Sequence, residues 1–332
     1  MKKQLFAAAL ALFACAAHAA PCDTTTDGNA PTPLMYSART GNAENVRCLL
    51  DAGADPNAAD GGGRTALLFA AAKKHADIVR LLIDKGADVN AADEDGWTQL
   101  MLAASGGHTD AARLLIEHGA DLNAAHKGGT TALMMAAIST ISTDTARLLI
   151  EKGADVNATD KHGRTALMNA ASNLRRNGAS RLLIDAGAQV NAANKNGFTA
   201  LMGAAGNGRT DTVRLLLEKG AQVGAAYKDG STALMAAAAS GHTDTARLLL
   251  ENGANVNAAN DKGATALTIA ALQGHADTVR LLLDKGAKVN AVVTKGKAAG
   301  RTALDIAQAN GHTTIVKMLK AAGAKGAKRA KK

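Results

Sequence analysis

Histidine is the side chain whose spacing in this sequence first suggests chemistry, because it recurs at one position of a repeating pattern. The five members of the series are His75, His108, His242, His275 and His312. Imidazole nitrogens bind zinc at about 2.1 Å, so a row of histidines raises the hypothesis of a metal ladder. Stacked helices lie about 8–10 Å apart, which is too far for histidines of successive copies to share an ion. We therefore interpret these residues as structural turn histidines.

Patterns typical of enzymes are missing from the sequence. It contains no His-Glu-x-x-His, no Cys-x-x-Cys and no Gly-x-Ser-x-Gly. Gly296-Lys297 lacks the upstream glycine of a phosphate-binding loop, because Ala291 stands there. We predict that the protein is not an enzyme and has no catalytic residues, no metal site and no cofactor.

The elements that position these side chains are set by a threonine that recurs nine times with gaps of 33 to 37 residues. Each threonine is followed two residues later by leucine, and further on by a basic residue, an apolar run and Gly-Ala. Copies of a unit too small to fold alone stabilise one another by stacking. The sequence therefore predicts one elongated array with repeats starting near Thr32, Thr65, Thr98, Thr131, Thr165, Thr199, Thr232, Thr265 and Thr302.

Residues 63–96 show how one copy is expected to fold. Thr65 is a good N-cap for a first helix, because its hydroxyl can accept an unpaired backbone N–H. Asp77 lies in the first turn of a second helix, where a carboxylate suits the helix dipole. Gly86 ends that helix in the left-handed conformation, and residues 87–96 form a short β-finger. Both helices are shorter than the roughly 12–15 residues that an isolated helix needs, so they depend on their neighbours.

The consensus resembles the ankyrin repeat: Thr-Ala-Leu-Met-x-Ala-Ala, then Gly-His, then Arg-Leu-Leu-x-x-x-Gly-Ala-Asp-Val-Asn-Ala. The resemblance covers residues 31–324 in nine copies. It implies an α-rich repeat solenoid of helix–turn–helix units with β-fingers, stacked in a curved right-handed array. The sequence departs from the family's usual Thr-Pro-Leu-His motif. Pro33 is the single proline at the second position of the motif, and the histidine of the fourth position is mostly replaced by Met or Leu.

Residues 1–19 have the three parts of a secretory signal: two early lysines, an apolar run over residues 5–17, and Ala17-His18-Ala19. We expect cleavage after Ala19 and a periplasmic or secreted bacterial protein. The apolar run is shorter than the ~20 residues that span a bilayer, so no transmembrane segment is expected after cleavage. Attachment as a lipoprotein at Cys15 is the less favoured alternative, because Phe13 fits the lipoprotein cleavage pattern poorly.

Two cysteines remain after cleavage: Cys22 in the N-terminal segment of residues 20–30, and Cys48 in the second helix of the first repeat. Export to an oxidising compartment favours a disulfide between them, which would tether the segment to the first repeat. The alternative is a free Cys22 thiol and a Cys48 that acts as a small buried apolar residue. The sequence leaves both open.

The net charge of +9 is unevenly distributed. Residues 285–332 contain twelve Lys/Arg and one acid, Asp305, for a charge of +11, whereas residues 1–284 sum to −2. The end of this region, residues 325–332, is predicted to be a disordered basic tail. This end of the chain favours an acidic partner. Nucleic acid is disfavoured, because exported proteins rarely meet it.

The residue just before each repeat threonine varies between copies, which indicates a position released from packing. Trp97 and Phe198 stand out there, because aromatic side chains dominate binding hot spots, and Tyr227 lies on a neighbouring finger. Packing within the finger is the alternative. A lengthened junction in repeats four and five and an insertion before repeat nine add further candidates. The complete set of predicted partner-binding residues is Arg64, Trp97, Arg164, Phe198, Tyr227, Arg175, Arg176, Lys295, Lys297 and Arg301.

These observations predict a monomeric, non-enzymatic protein–protein interaction scaffold in the bacterial periplasm. In the ankyrin repeat family, partners usually contact the concave face and the finger tips. One alternative is a secreted effector that acts on host proteins. A second is an anionic-surface binder that uses the basic C-terminal end.

Overall fold

The computed structural model describes residues 30–139, 142–173 and 178–326. It divides into two compact units, residues 1–161 and 162–332, which we call unit 1 and unit 2. The predicted signal peptide 1–19, all but the last residue of segment 20–30, and residues 327–332 of the basic tail lie outside the described residues. The boundaries of those parts therefore stay predictions.

The described part of unit 1 consists of four helix pairs. Odd-numbered helices are the first members of each pair. They are α1 (Pro33–Thr40), α2 (Ala43–Asp51), α3 (Ala66–Ala71), α4 (Ala76–Asp84), α5 (Gln99–Ser105), α6 (Thr109–Glu117), α7 (Ala132–Ile138) and α8 (Asp144–Glu151).

The described part of unit 2 continues the same alternation with five pairs. They are α9 (Ala166–Ser172), α10 (Gly178–Asp185), α11 (Ala200–Gly206), α12 (Thr210–Glu218), α13 (Ala233–Ala239), α14 (Thr243–Glu251), α15 (Ala266–Gln273), α16 (Ala276–Asp284), α17 (Ala303–Ala309) and α18 (Thr313–Ala321).

Every first helix begins directly after a repeat threonine, which confirms the predicted cap. The Thr65 hydroxyl accepts the backbone N–H of Leu68 at 3.3 Å, and the other repeat threonines make the same bond. Such a cap contributes about 1 kcal/mol to helix stability. The predicted stop is also confirmed, because Gly86 follows α4 with a φ of 88°.

The core of each unit lies between neighbouring pairs. Each first helix packs against its own second helix and against the first helices before and after it in the same unit, and the second helices do likewise. Leu67, Ala70 and Ala71 of α3 are fully buried, as the sequence pattern predicts. The alanines remove bulk and let the helices approach closely, so thin aliphatic layers hold each array together.

Short fingers connect one pair to the next. Within the described residues they are closed by isolated antiparallel bridges, such as Ala92 to Thr98, in place of extended strands. Neighbouring fingers are joined through their backbones: the N–H of Glu94 donates to the Gly62 carbonyl at 2.9 Å, and the N–H of Lys127 donates to the Asp95 carbonyl at 2.9 Å. The predicted α-rich repeat architecture is confirmed.

A second connection between fingers comes from an asparagine side chain, and we call it the asparagine ladder. The Asn90 amide donates to the Gly119 carbonyl at 3.0 Å, and its oxygen accepts the Asp121 N–H at 2.8 Å. Complete rungs of this kind are also made by Asn57, Asn191 and Asn257. In unit 2, Gly224 takes the asparagine's place, so in the described structure this rung is missing.

Candidate functional site

Several finger tips are held by side-chain caps that fix the residue before the repeat threonine. A carboxylate oxygen of Asp93 accepts the N–H groups of Asp95 at 3.0 Å and Trp97 at 2.8 Å. Asn194 makes the corresponding bonds to Asn196 and Phe198, both at 2.9 Å. Trp97 and Phe198 therefore leave their fingers at equivalent positions.

Each of these two aromatic side chains packs on the next finger of its own unit. The Trp97 ring lies 4.5 Å from the His126 ring. The Phe198 ring meets Tyr227 edge-on at 6.2 Å. Trp97, Phe198 and Tyr227 are all half-buried, so part of each surface serves the contact between fingers. A role in binding a partner uses only the remaining part and stays a prediction.

The two predicted arginines beside these fingers are also engaged. Arg64 forms an ion pair with Asp60 at 2.7 Å, and the Asp60 side chain is fully buried. Burial alone would raise the pKa of Asp60, but hydrogen bonds from the Arg64 side chain and from the backbone of Arg64 and Gly62 outweigh it and lower the pKa below its ordinary value. Arg164 lies over the Phe198 ring at 5.7 Å. Both arginines stabilise the finger.

A row of large apolar side chains runs across the first helices of unit 1 at the fourth residue after each repeat threonine. We call it the apolar row, and it consists of Tyr36, Phe69, Leu102 and Met135. Tyr36 is 57% exposed, and the other three are half-buried. Because α1, α3, α5 and α7 pack side by side, these equivalent positions are neighbours. Ile138, 42% exposed at the end of α7, lies one helical turn from Met135.

The sequence analysis missed the apolar row, although a signal was present. The leucine two residues after each repeat threonine is constant, whereas the residue two positions further varies from tyrosine to glycine. The same criterion that selected the position before the threonine, variation beside a fixed position, also selects this one. In unit 2 the same positions hold Asn169, Gly203, Ala236, Ile269 and Ile306, and Ile306 is buried. An unbroken run of large, partly exposed apolar side chains is therefore found in unit 1, whereas Ile269 is the one such side chain among the described positions of unit 2.

Three of the recurring histidines bridge consecutive pairs. A ring nitrogen of His108, Nε2, lies 3.3 Å from the Ala72 carbonyl oxygen; His275 and His312 make the equivalent contacts at 3.1 and 3.2 Å. Each carbonyl lies at or beside the end of the preceding first helix, which confirms the structural interpretation of these three residues. Among the described residues, no group of three or more His, Cys, Asp or Glu side chains could hold a metal ion.

The environment of His108 favours its neutral form. Burial is the main cause that lowers its pKa, and the positive charge of Lys74, His75 and Lys73 acts in the same direction. The contact with the Ala72 carbonyl opposes this shift but does not cancel it. The charge state of this bridge therefore depends on pH.

The predicted basic finger before the last repeat is closed by a bridge between Val292 and Thr302. The N–H of Val293 donates to the Arg301 carbonyl at 3.0 Å. Lys295, Lys297 and Arg301 are exposed, and no ion pair within 4.0 Å involves them in the described residues. The insertion therefore presents three unneutralised cations to solvent.

Two sets of predicted residues fall partly or wholly outside the described residues. Cys48 lies in α2 and is disulfide-bonded, but Cys22 is not among the described residues, so the pairing of Cys22 with Cys48 stays a prediction. Arg175 and Arg176, in the lengthened junction of repeat five, also lie outside the described residues.

An open groove of about 270 Å³ lies on the second helices of unit 1, between α4 and α6. It is lined by charges of both signs, including Asp77, Arg80, Asp110 and Arg113. Both arginines are exposed, and neither forms an ion pair within the described structure. Charges so mixed and so open to water give this groove little capacity to select a ligand.

The comparison with family models agrees with this geometry. A model described as ankyrin repeats, in three copies, matches residues 5–93, 89–160, 141–227, 220–293 and 259–329. These matches cover most of the chain, which therefore belongs to the ankyrin repeat family, whose repeats generally mediate protein–protein interaction and are typically non-enzymatic. No match was found among curated proteins. None of the described helices combines the length and the apolar character needed to cross a bilayer.

Proposed function

We propose that this chain is an exported, non-enzymatic scaffold of nine ankyrin repeats that works in the bacterial periplasm. It binds a protein partner through the first-helix face of unit 1 and the adjoining finger tips. The observation that carries this proposal is the apolar row, because neighbouring apolar side chains that stay partly exposed mark an interaction site, whereas scattered ones do not. Arg39 lies over the Tyr36 ring at 5.5 Å and Arg64 over the Phe69 ring at 5.4 Å, so a partner displaces or packs beside these two guanidinium groups.

The charge of unit 1 specifies the chemistry of the partner. Residues 30–161 contain 12 Lys/Arg and 17 Asp/Glu, a net charge of −5. Asp93, Glu94 and Asp95 concentrate part of this charge on one finger, and Glu94 and Asp95 are exposed. Complementary charge increases the association rate and the specificity of a complex. The partner is therefore a protein segment that combines apolar side chains with a net positive charge.

Export is supported by the N-terminal sequence and by the disulfide at Cys48, since disulfides persist in oxidising compartments. The test is the mass and location of the mature protein. We expect a chain that starts at Ala20 and is released with the periplasmic fraction. Recovery of the mature chain mainly from the culture medium would favour a secreted effector, and an uncleaved chain in the cytoplasm would reject export.

Binding is tested by photo-crosslinking in intact cells from single positions. A photoreactive phenylalanine analogue replaces Tyr36 or Phe69 in unit 1, and Ala236 or Ile269 at the equivalent positions of unit 2 serves as the matched control. We expect one discrete crosslinked product from the unit 1 positions alone. Equal labelling from both units, or none from unit 1, would reject the proposed face.

A pair of substitutions then measures how much the apolar row contributes. Phe69→Asn gives unit 1 the side-chain type that Asn169 provides in unit 2, and Ile269→Asn makes the equivalent change on α15. Loss of a binding hot spot costs at least about 2 kcal/mol, so we expect Phe69→Asn to weaken binding of the captured partner about 30-fold. Ile269→Asn should leave the affinity within about threefold, with circular dichroism confirming that both variants are folded.

A further inference from the structure

The C-terminal end of unit 2 carries a concentration of positive charge that the scaffold function does not use. Residues 285–326 contain eight Lys/Arg and a single acid. All eight cations are exposed, and no ion pair within 4.0 Å involves them in the described residues. They are Lys285, Lys288, Lys295, Lys297, Arg301, Lys317, Lys320 and Lys325.

The one acid in this region is committed to the fold. A carboxylate oxygen of Asp305 accepts the backbone N–H of Thr302 at 2.9 Å and its hydroxyl at 2.8 Å. These bonds complete the cap at the start of α17. Asp305 therefore stabilises the start of α17.

Backbone contacts place several of these cations along one edge. The N–H of Thr294 donates to the Lys262 carbonyl at 2.7 Å, so the finger that carries Lys295 and Lys297 lies directly beside Lys262. Lys288 and Lys325 occupy successive rungs of the asparagine ladder, because their N–H groups donate to Asn257 and Asn290 at 2.7 Å each. We call the set of Lys288, Lys295, Lys297, Arg301 and Lys325 the basic edge; Lys262 is left out because its charge acts on Asp229.

The small side chains around the basic edge allow it to approach a flat anionic surface closely. The finger between Lys295 and Arg301 consists of small residues such as Gly296, Ala298 and Gly300, so nothing bulky keeps the cations away from closely spaced phosphates. Val292, 42% exposed in the same finger, adds a shallow apolar contact. Single-stranded nucleic acid is disfavoured, because residues 285–332 contain no Phe, Trp or Tyr to provide the large rings on which bases stack.

We propose that the basic edge docks this protein onto an anionic phospholipid surface. Each Lys or Arg near such a surface adds to the electrostatic attraction. This inference does not depend on the proposed partner site.

The test uses the full-length mature chain and lipid vesicles. Vesicles of phosphatidylcholine with 30% phosphatidylglycerol are compared with pure phosphatidylcholine by co-sedimentation in low salt. The test variant is Lys295→Gln, Lys297→Gln and Arg301→Gln together. The matched control is Arg80→Gln, Arg113→Gln and Arg147→Gln, which removes the same charge from three exposed arginines on the second helices of unit 1.

We expect binding to the anionic vesicles alone, reduced roughly 100-fold by the test variant at about 1 kcal/mol per removed cation, and less than about fivefold by the control. Equal loss in both variants would show that net charge alone acts and would overturn the proposal. So would equal binding to pure phosphatidylcholine, or no binding to anionic vesicles at 50 mM salt. Displacement by polyglutamate as readily as by excess anionic vesicles would assign the edge to an acidic protein.

Discussion

In unit 1 the first helices present tyrosine, phenylalanine, leucine and methionine at equivalent positions, whereas unit 2 has asparagine, glycine, alanine, a partly exposed isoleucine and a buried isoleucine there. Their charges differ as well. Residues 30–161 sum to −5, while residues 162–326 contain 20 Lys/Arg and 10 Asp/Glu and sum to +10. Caps, buried alanines and turn glycines are shared by both units. The comparison shows that one repeat plan supports two different surfaces, because the positions that hold the fold are separate from those that face the solvent.

The largest expected effect tests whether the shared core contributes equally in both units. Leu115 in α6 and Leu249 in α14 are equivalent and fully buried. Truncation of a buried leucine to alanine costs about 2–5 kcal/mol, so Leu115→Ala and Leu249→Ala should each lower the free energy of unfolding by that amount. Hydrogen exchange read separately for each unit checks this. A loss confined to one of the two variants would break the equivalence of the cores.

The next prediction concerns a defect found in unit 1. Gln99 is fully buried, and neither polar atom of its amide has a hydrogen-bond partner in the described structure, whereas Ala200 occupies the equivalent position in unit 2. A buried unsatisfied polar group costs about 1–3 kcal/mol. Gln99→Ala should raise the free energy of unfolding by about that amount in urea titrations, and Ala200→Gln should lower it. Destabilisation by Gln99→Ala would mean that the amide is satisfied in solution.

A smaller effect is expected from the missing rung of the asparagine ladder in unit 2. A Cβ atom added at Gly224 meets no atom within 4 Å, so there is space for a side chain to begin there. Two hydrogen bonds at about 0.5–1.5 kcal/mol each and the reduced freedom of the unfolded chain should make Gly224→Asn more stable by about 1–2 kcal/mol. The reverse change in unit 1, Asn90→Gly, should cost a similar amount. Thermal denaturation of both variants measures the rung, and no gain from Gly224→Asn would show that the ladder contributes little.

The smallest expected effect is a difference between the two units in how the free energy of unfolding depends on pH. The pKa of His108 in unit 1 lies below its ordinary value of 6.5, so the unfolded chain binds more protons than the folded one. Its contribution to stability is therefore present above the ordinary pKa and is lost as the pH falls below it. His108→Gln should reduce the difference in unfolding free energy between pH 7.5 and pH 5.5. His275→Gln in unit 2 is the matched control, and the same reduction in both would contradict a cause specific to the surroundings of His108.

The fold was largely predictable because its determinants are local and recur along the chain. Threonine caps, glycine stops and helices too short to stand alone each follow from a few residues, and the structure confirms the capping by Thr65 and the stop at Gly86. The surface was less predictable because exposure depends on the neighbouring copy. The contact of Trp97 with His126 joins residues 29 positions apart, and the sequence does not show which of them faces the other. The apolar row differs, because the variation at its position is visible in the sequence; the structure adds that these positions are neighbours and partly exposed.

The asparagine ladder has a mechanical consequence. Each rung joins one finger to the next through hydrogen bonds that run along the array. These side-chain hydrogen bonds therefore carry part of a pulling force applied to the two ends of unit 2. At Gly224 this series of hydrogen bonds is interrupted, so helix packing and the backbone bonds between fingers alone resist the force there. Under a pulling force, unit 2 should therefore unfold first beside Gly224. A protease acting on the stretched protein should cleave near Gly224 before any other place in the unit.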